Sequence, residues 1–126
     1  MATNLNPLTG AAQDLSNNVI RKPVTIANGA TVSSIAMMNG SPLVGVDTGA
    51  LTSVAFTLQN SIDGGFSFRN VEDAVTGNPF SMVVEANRYH HVSPPIRGLD
   101  LVRIVAGTAE GAARSVILVS DRRKGA

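Results

Sequence analysis

Few side chains in this sequence are of the kind that make or break covalent bonds. The only two histidines, His90 and His91, are adjacent. Neighbours on a strand point to opposite faces, so the pair does not close easily on one metal ion. A zinc site needs three or four ligands, and the chain has no cysteine and no third histidine. Only an oligomer that brought copies of one histidine to its axis would make up the number. The carboxylates Asp63, Glu72, Asp73, Glu85 and Asp100 are scattered among expected turns. A glycosidase pair must face across a cleft, whereas Asp in a turn bonds its own backbone, and that accounts for Asp47 and Asp63. No Gly-x-Ser-x-Gly nucleophile motif occurs, and Gly64-Gly65 lacks the strand-to-helix setting that cradles phosphate. The sequence therefore predicts no catalytic residue, no cofactor, no metal site and no enzyme.

The bulk properties agree. A chain of 126 residues is one domain, large enough to bury a core without staples. Its formal charge is +1, from ten basic and nine acidic residues, which does not point to nucleic acid or a membrane surface. Apolar runs are far shorter than the roughly 20 residues of a membrane span. The N-terminus has neither the basic nor the apolar region of a signal peptide. Charged residues make up 15% of the chain, against about 25% for an average domain. Such a neutral surface fits one that is partly covered in use.

The elements that must carry these residues are strands. Residues 51–68 read LTSVAFTLQNSIDGGFSF. Val54, Phe56 and Leu58 alternate with polar or small neighbours, and Phe66 and Phe68 alternate after Asp63-Gly64. A period of two predicts a β-hairpin turning at the glycines, with three of the four phenylalanines inside. Phe80 falls in the apolar half of its own pattern, so all four are expected in the core. Val24 and Ile26 predict a strand. The segment 31–38 predicts a second, bulged strand with Val32 and Ile35 inward. Leu43 to Val46, Phe80 to Val84, Arg88 to Val92, Leu101 to Ala106 and Arg114 to Ser120 supply the rest, and the polar segment 69–79 reads as a loop. Ser93-Pro94-Pro95 is expected to break any ladder. About eight short strands predict an all-β, jelly-roll-like antiparallel β-sandwich over residues 19–121. Residues 1–18 have no sustained period and read either as a frayed end or as an extended N-terminal arm, with Leu5, Leu8 and Leu15 as anchors on a neighbouring subunit. Residues 122–126 are a basic tail.

Three blocks carry a resemblance: VAFTLQNSIDGGFSF, FSMVVEANRYHHVSP and LDLVRIVAGTAEGAARSVILV. Together they resemble small β-sandwich virion proteins of tailed bacteriophages. The likeness covers roughly residues 43–120 and departs at Asn60 and Ala106. It rests on strand and turn residues, so it implies fold and context more than chemistry. It implies a structural protein on the capsid surface, of the decoration or cement kind, with the major capsid protein as partner. A symmetric homo-oligomer is the default for such a part, and a trimer suits the local threefold positions of a shell. The groups expected to make contact are Leu5, Leu8 and Leu15, the edge-strand backbone, Ile117 and Val119 on the exposed side of the last strand, and Arg122, Arg123 and Lys124. The rival reading is a receptor- or carbohydrate-binding module of a head fibre or tail component, using Tyr89, Asn87 and Arg88.

Overall fold

In a computed structural model of the chain, residues 19–122 are described. They form nine strands: β1 Val19–Ile26, β2 Ala36–Met37, β3 Leu43–Thr48, β4 Ala55–Ser61, β5 Arg69–Asn70, β6 Ser81–Val83, β7 Tyr89–Ile96, β8 Leu101–Ala106 and β9 Arg114–Asp121. One sheet runs β1-β9-β3-β7, the other β2-β8-β4-β5, with β6 also on β4. Every pairing is antiparallel. The first strand pairs with the last, β2 with β8, β3 with β7, and β4 with β5 and β6. The chain is thus one long antiparallel hairpin, folded over so that β9 meets β3 and β8 meets β4. This is the winding of a jelly-roll sandwich, with the position after β4 shared by two short strands.

Alternation decides which side chains fill the space between the sheets. Val24 and Ile26 come from β1, Leu43 and Val46 from β3, Phe56 and Leu58 from β4, Val102 and Ile104 from β8, and Val116 and Leu118 from β9; all are buried. β9 lies between β1 and β3, which explains its near-continuous apolar sequence.

Three local expectations are corrected. Val32 and Ile35 face outward and are exposed, while Ser33, Ala36 and Met38 face inward. Ser33 is tolerated inside because its hydroxyl accepts from the Ile104 amide at 2.9 Å and donates to the Ser34 carbonyl. Ser93-Pro94-Pro95 does not end β7, which continues to Ile96 opposite Leu43 across a register shift. β7 is an edge strand, and an edge has no second neighbour to need the missing amides. Val54, expected inward, is exposed, and Ser53 is buried instead.

The central hairpin is the largest correction. β4 forms as read, but Phe66 is 93% exposed and Phe68 is only half-buried. Asp63 explains why. Its carboxylate accepts from the Ser67 hydroxyl at 2.6 Å, the Ser67 amide at 3.0 Å and the Ser61 hydroxyl at 2.7 Å. These bonds, led by those from Ser67, hold the carboxyl well below the usual carboxylate range. They wind residues 61–67 into a wide turn, helped by positive φ at Gly64 and Gly65. Pairing resumes only at Arg69 and Asn70, opposite Asn60 and Gln59.

Candidate docking surfaces

The inner faces of both sheets are spent on the core, so any site lies on an outer face or at an end. On the outer face of the five-stranded sheet, Val32 lies opposite Val105, Met37 opposite Leu101, Ala55 opposite Val83, Thr57 opposite Val105 and Ser81, and Gln59 opposite Arg103. Of these side chains only Arg103 is charged. It is held in place: its Nε donates to Gln59 Oε1 at 2.8 Å, and its guanidinium lies 4.0 Å from the centroid of Phe68. Val32, Ile35, Met37 and Val83 are left open to solvent. They are spread along the face and do not form one tight patch: Met37 sits beside Leu101 at one end of the sheet and Val83 beside Ala55 at the other.

The outer face of the four-stranded sheet differs. Its rows are Arg21–Val119–Gly45–His91 and Pro23–Ile117–Asp47–Tyr89. Tyr89 leans diagonally over Gly45, where a Cβ would fall 2.0 Å from its hydroxyl oxygen. Glycine is required here because the phenol occupies the space of a side chain. His91 meets the same ring edge-on, with centroids 5.1 Å apart. Burial, then the charges of Asp47 and Asp121, push the Tyr89 phenol up from its ordinary value. Val19, Arg21, Asp47, Tyr89, Ile117 and Val119 surround a shallow depression.

The residues expected to make contact are placed as follows. Ile117 and Val119 both point outward into this depression, but Val119 is only 8% exposed. It is therefore floor rather than exposed contact, because Arg21 and Gly45 flank it and Tyr89 leans over Gly45. Arg122 is exposed just beyond β9. Leu5, Leu8, Leu15, Arg123 and Lys124 lie outside the described residues. The edge-strand backbone is a poorer partner than expected, since β1 carries Pro23 and β7 carries Pro94 and Pro95. Tyr89, Asn87 and Arg88 are all exposed, and the depression beside Tyr89 is lined by neither of the other two. Asn87 sits in the preceding turn at φ 59°, and Arg88 pairs with Glu85 at 3.4 Å.

The chemistry-bearing residues are occupied locally. His91 faces outward against Tyr89. His90 faces the other way, its Nδ1 donating to the Val46 carbonyl at 3.2 Å and its Nε2 accepting from the Glu85 amide at 3.0 Å. With Nε2 accepting, Nδ1 is the ring's donor. Asp73 accepts from the amides of Val75 and Thr76 within its own turn. That turn borders a cleft of about 360 Å³ floored by Phe80, Pro94 and Ile96. Among the described residues, no group of three or more His, Cys, Asp or Glu is placed to hold a metal ion. Sequence reading missed the outward apolar side chains Met37 and Val83, at opposite ends of the five-stranded sheet, and the packing of Tyr89 over Gly45. The first was legible as apolar residues at the odd positions of alternating strands; the second has no sequence signal, because it depends on register.

Compared with protein-family profiles, curated proteins and solved structures, the chain matches none. The fold defines it as an antiparallel β-sandwich with one outer face of low charge.

Proposed function

We propose that this protein is a structural part of a bacteriophage particle, a decoration or cement protein that binds the outside of the capsid and stabilises it. The observation that carries this reading is the outer face of the five-stranded sheet, where Val32, Ile35, Met37 and Val83 are exposed and Arg103 is the one charged residue among the outward pairs of β2, β4, β6 and β8. Covering such a face removes apolar surface from water at about 25 cal/mol per Å². A protein that binds the assembled shell but not its free subunits favours assembly by mass action. The proposed partner is the major capsid protein, and the proposed state is a homo-oligomer, a trimer by preference. The proposed further contacts are Leu5, Leu8 and Leu15 of the N-terminal arm with a neighbouring subunit, and the basic tail with acidic patches on the shell, the latter weakening with salt.

The test is co-sedimentation with shells of the major capsid protein encoded beside this chain. Met37→Glu and Val83→Glu each place a charge on the proposed contact face without touching the core. Binding should fall at least about tenfold, since burying an unpaired charge costs more than 1.4 kcal/mol. Unchanged binding in both variants would remove this face from the interface. No sedimentation by the parent protein would remove the capsid reading.

A further inference from the structure

We propose that the chain associates with itself by seating Phe66 of one copy in the cleft that Phe80, Pro94 and Ile96 floor in a second copy. Phe66 is 93% exposed, on a turn that the Asp63 carboxylate braces through Ser61 and Ser67. A side chain displayed on a braced turn loses little freedom on docking, and aromatic anchors that fill pockets carry most of the energy of an interface. The cleft supplies the complement. It lies between the end of β7 and the segment 71–80 that joins β5 to β6, and Val71, Phe80, Pro94, Pro95 and Ile96 give it apolar walls. Its volume is about 360 Å³, and a dry cavity of roughly 150 Å³ already holds a benzene ring. Phe66 leaves its own copy's cleft open, since its ring stands in solvent.

Charge points the same way. The cleft is bordered by Glu72, Asp73 and Arg97, a net negative rim. Arg69 follows Phe66 by three residues and is exposed on β5. Among the described residues, neither Arg69 nor Glu72 has a salt-bridge partner within its own copy. Docking of Phe66 therefore carries an unpaired cation to a rim of opposite sign. Ring and cleft lie on different patches of one chain, so the contact repeats from copy to copy, and head to tail it closes a ring. The inference rests on the homo-oligomer proposed above and not on shell binding, and its readout is taken on the free protein.

Sedimentation velocity over a concentration series tests this on the full chain, on Phe66→Ser and on Ala74→Trp. Ala74 is an exposed lining residue of the cleft, where an indole takes the space meant for the ring. Both positions lie outside the core, so both variants should keep the parent's urea midpoint. The parent should associate, and each variant should weaken association roughly 30-fold, the loss of one buried anchor. An equimolar mixture of the two variants should recover part of it, because the intact Phe66 of one meets the open cleft of the other. Unchanged association in Phe66→Ser would overturn this contact and leave the homo-oligomer standing. A parent that stays monomeric would overturn both. Weakening in both variants with no recovery on mixing would overturn the pairing of Phe66 with the cleft.

Discussion

Glu110 is a carboxylate with no exposed side-chain surface, which is costly unless it is fully paired. It accepts from the amides of Thr52 at 2.7 Å and Ser53 at 2.9 Å, and from Arg114 Nε at 3.0 Å. Burial pushes its pKa up, but the hydrogen bonds from Ser53 and Thr52 and the Arg114 guanidinium outweigh this and bring it down to about 2. The unfolded chain holds this proton more tightly than the folded one, since its carboxyl keeps the ordinary value of 4.5. The resulting stabilisation, on the order of 3 kcal/mol, is fully present above pH 4.5 and is lost as pH falls toward 2. Urea unfolding at neutral pH and near pH 3 should show that loss in the parent. Glu110→Gln should be destabilised by roughly 2–4 kcal/mol at neutral pH and show a smaller further loss on acidification; an identical pH dependence in both would assign the acid response elsewhere. None of this was legible in the sequence. A Glu within Gly-Thr-Ala-Glu-Gly looks like a solvated loop residue, and only the fold brings residues 52 and 53 to it.

Strands were legible wherever one face is buried. β1, β4 and β8 alternate as read, because each presents a single inward row, and β9 is the near-continuous apolar run expected of a central strand. Reading failed where a side chain satisfies the backbone instead. Ser33 takes an inward place next to Val32 because its hydroxyl is bonded on both sides. Phe66 has an apolar side chain at a position that the Asp63 turn carries out of the sheet. Two phenylalanines ten residues apart should therefore behave very differently. Phe56→Ala should cost about 3–5 kcal/mol, as for other buried aromatics. Phe66→Ser should change stability by no more than about 0.5 kcal/mol. Denaturation midpoints decide it, and a large loss at Phe66 would return that ring to the core.

At the level of the whole molecule, composition and strand count were enough for a sandwich, but not for strand order. Nothing in the residues of β1 names β9 as its neighbour. The outer faces were partly legible: low charge could be read from composition, while register decides which side chains gather on each face. Register also makes the domain indivisible. Removing β9 exposes the inner rows of both β1 and β3, so a chain ending at residue 113 should show no cooperative unfolding transition in urea. A cooperative transition in that fragment would mean that the five-stranded sheet stands without its partner.

The nested pairing also bears on how the protein is made. Ribosomes release this chain in an order opposed to its assembly. β1 emerges first yet waits for β9, and only the innermost pairs, β4 with β5 and β6, find their partners promptly. A chain cut short before β9 leaves both β1 and β3 without the strand that lies between them.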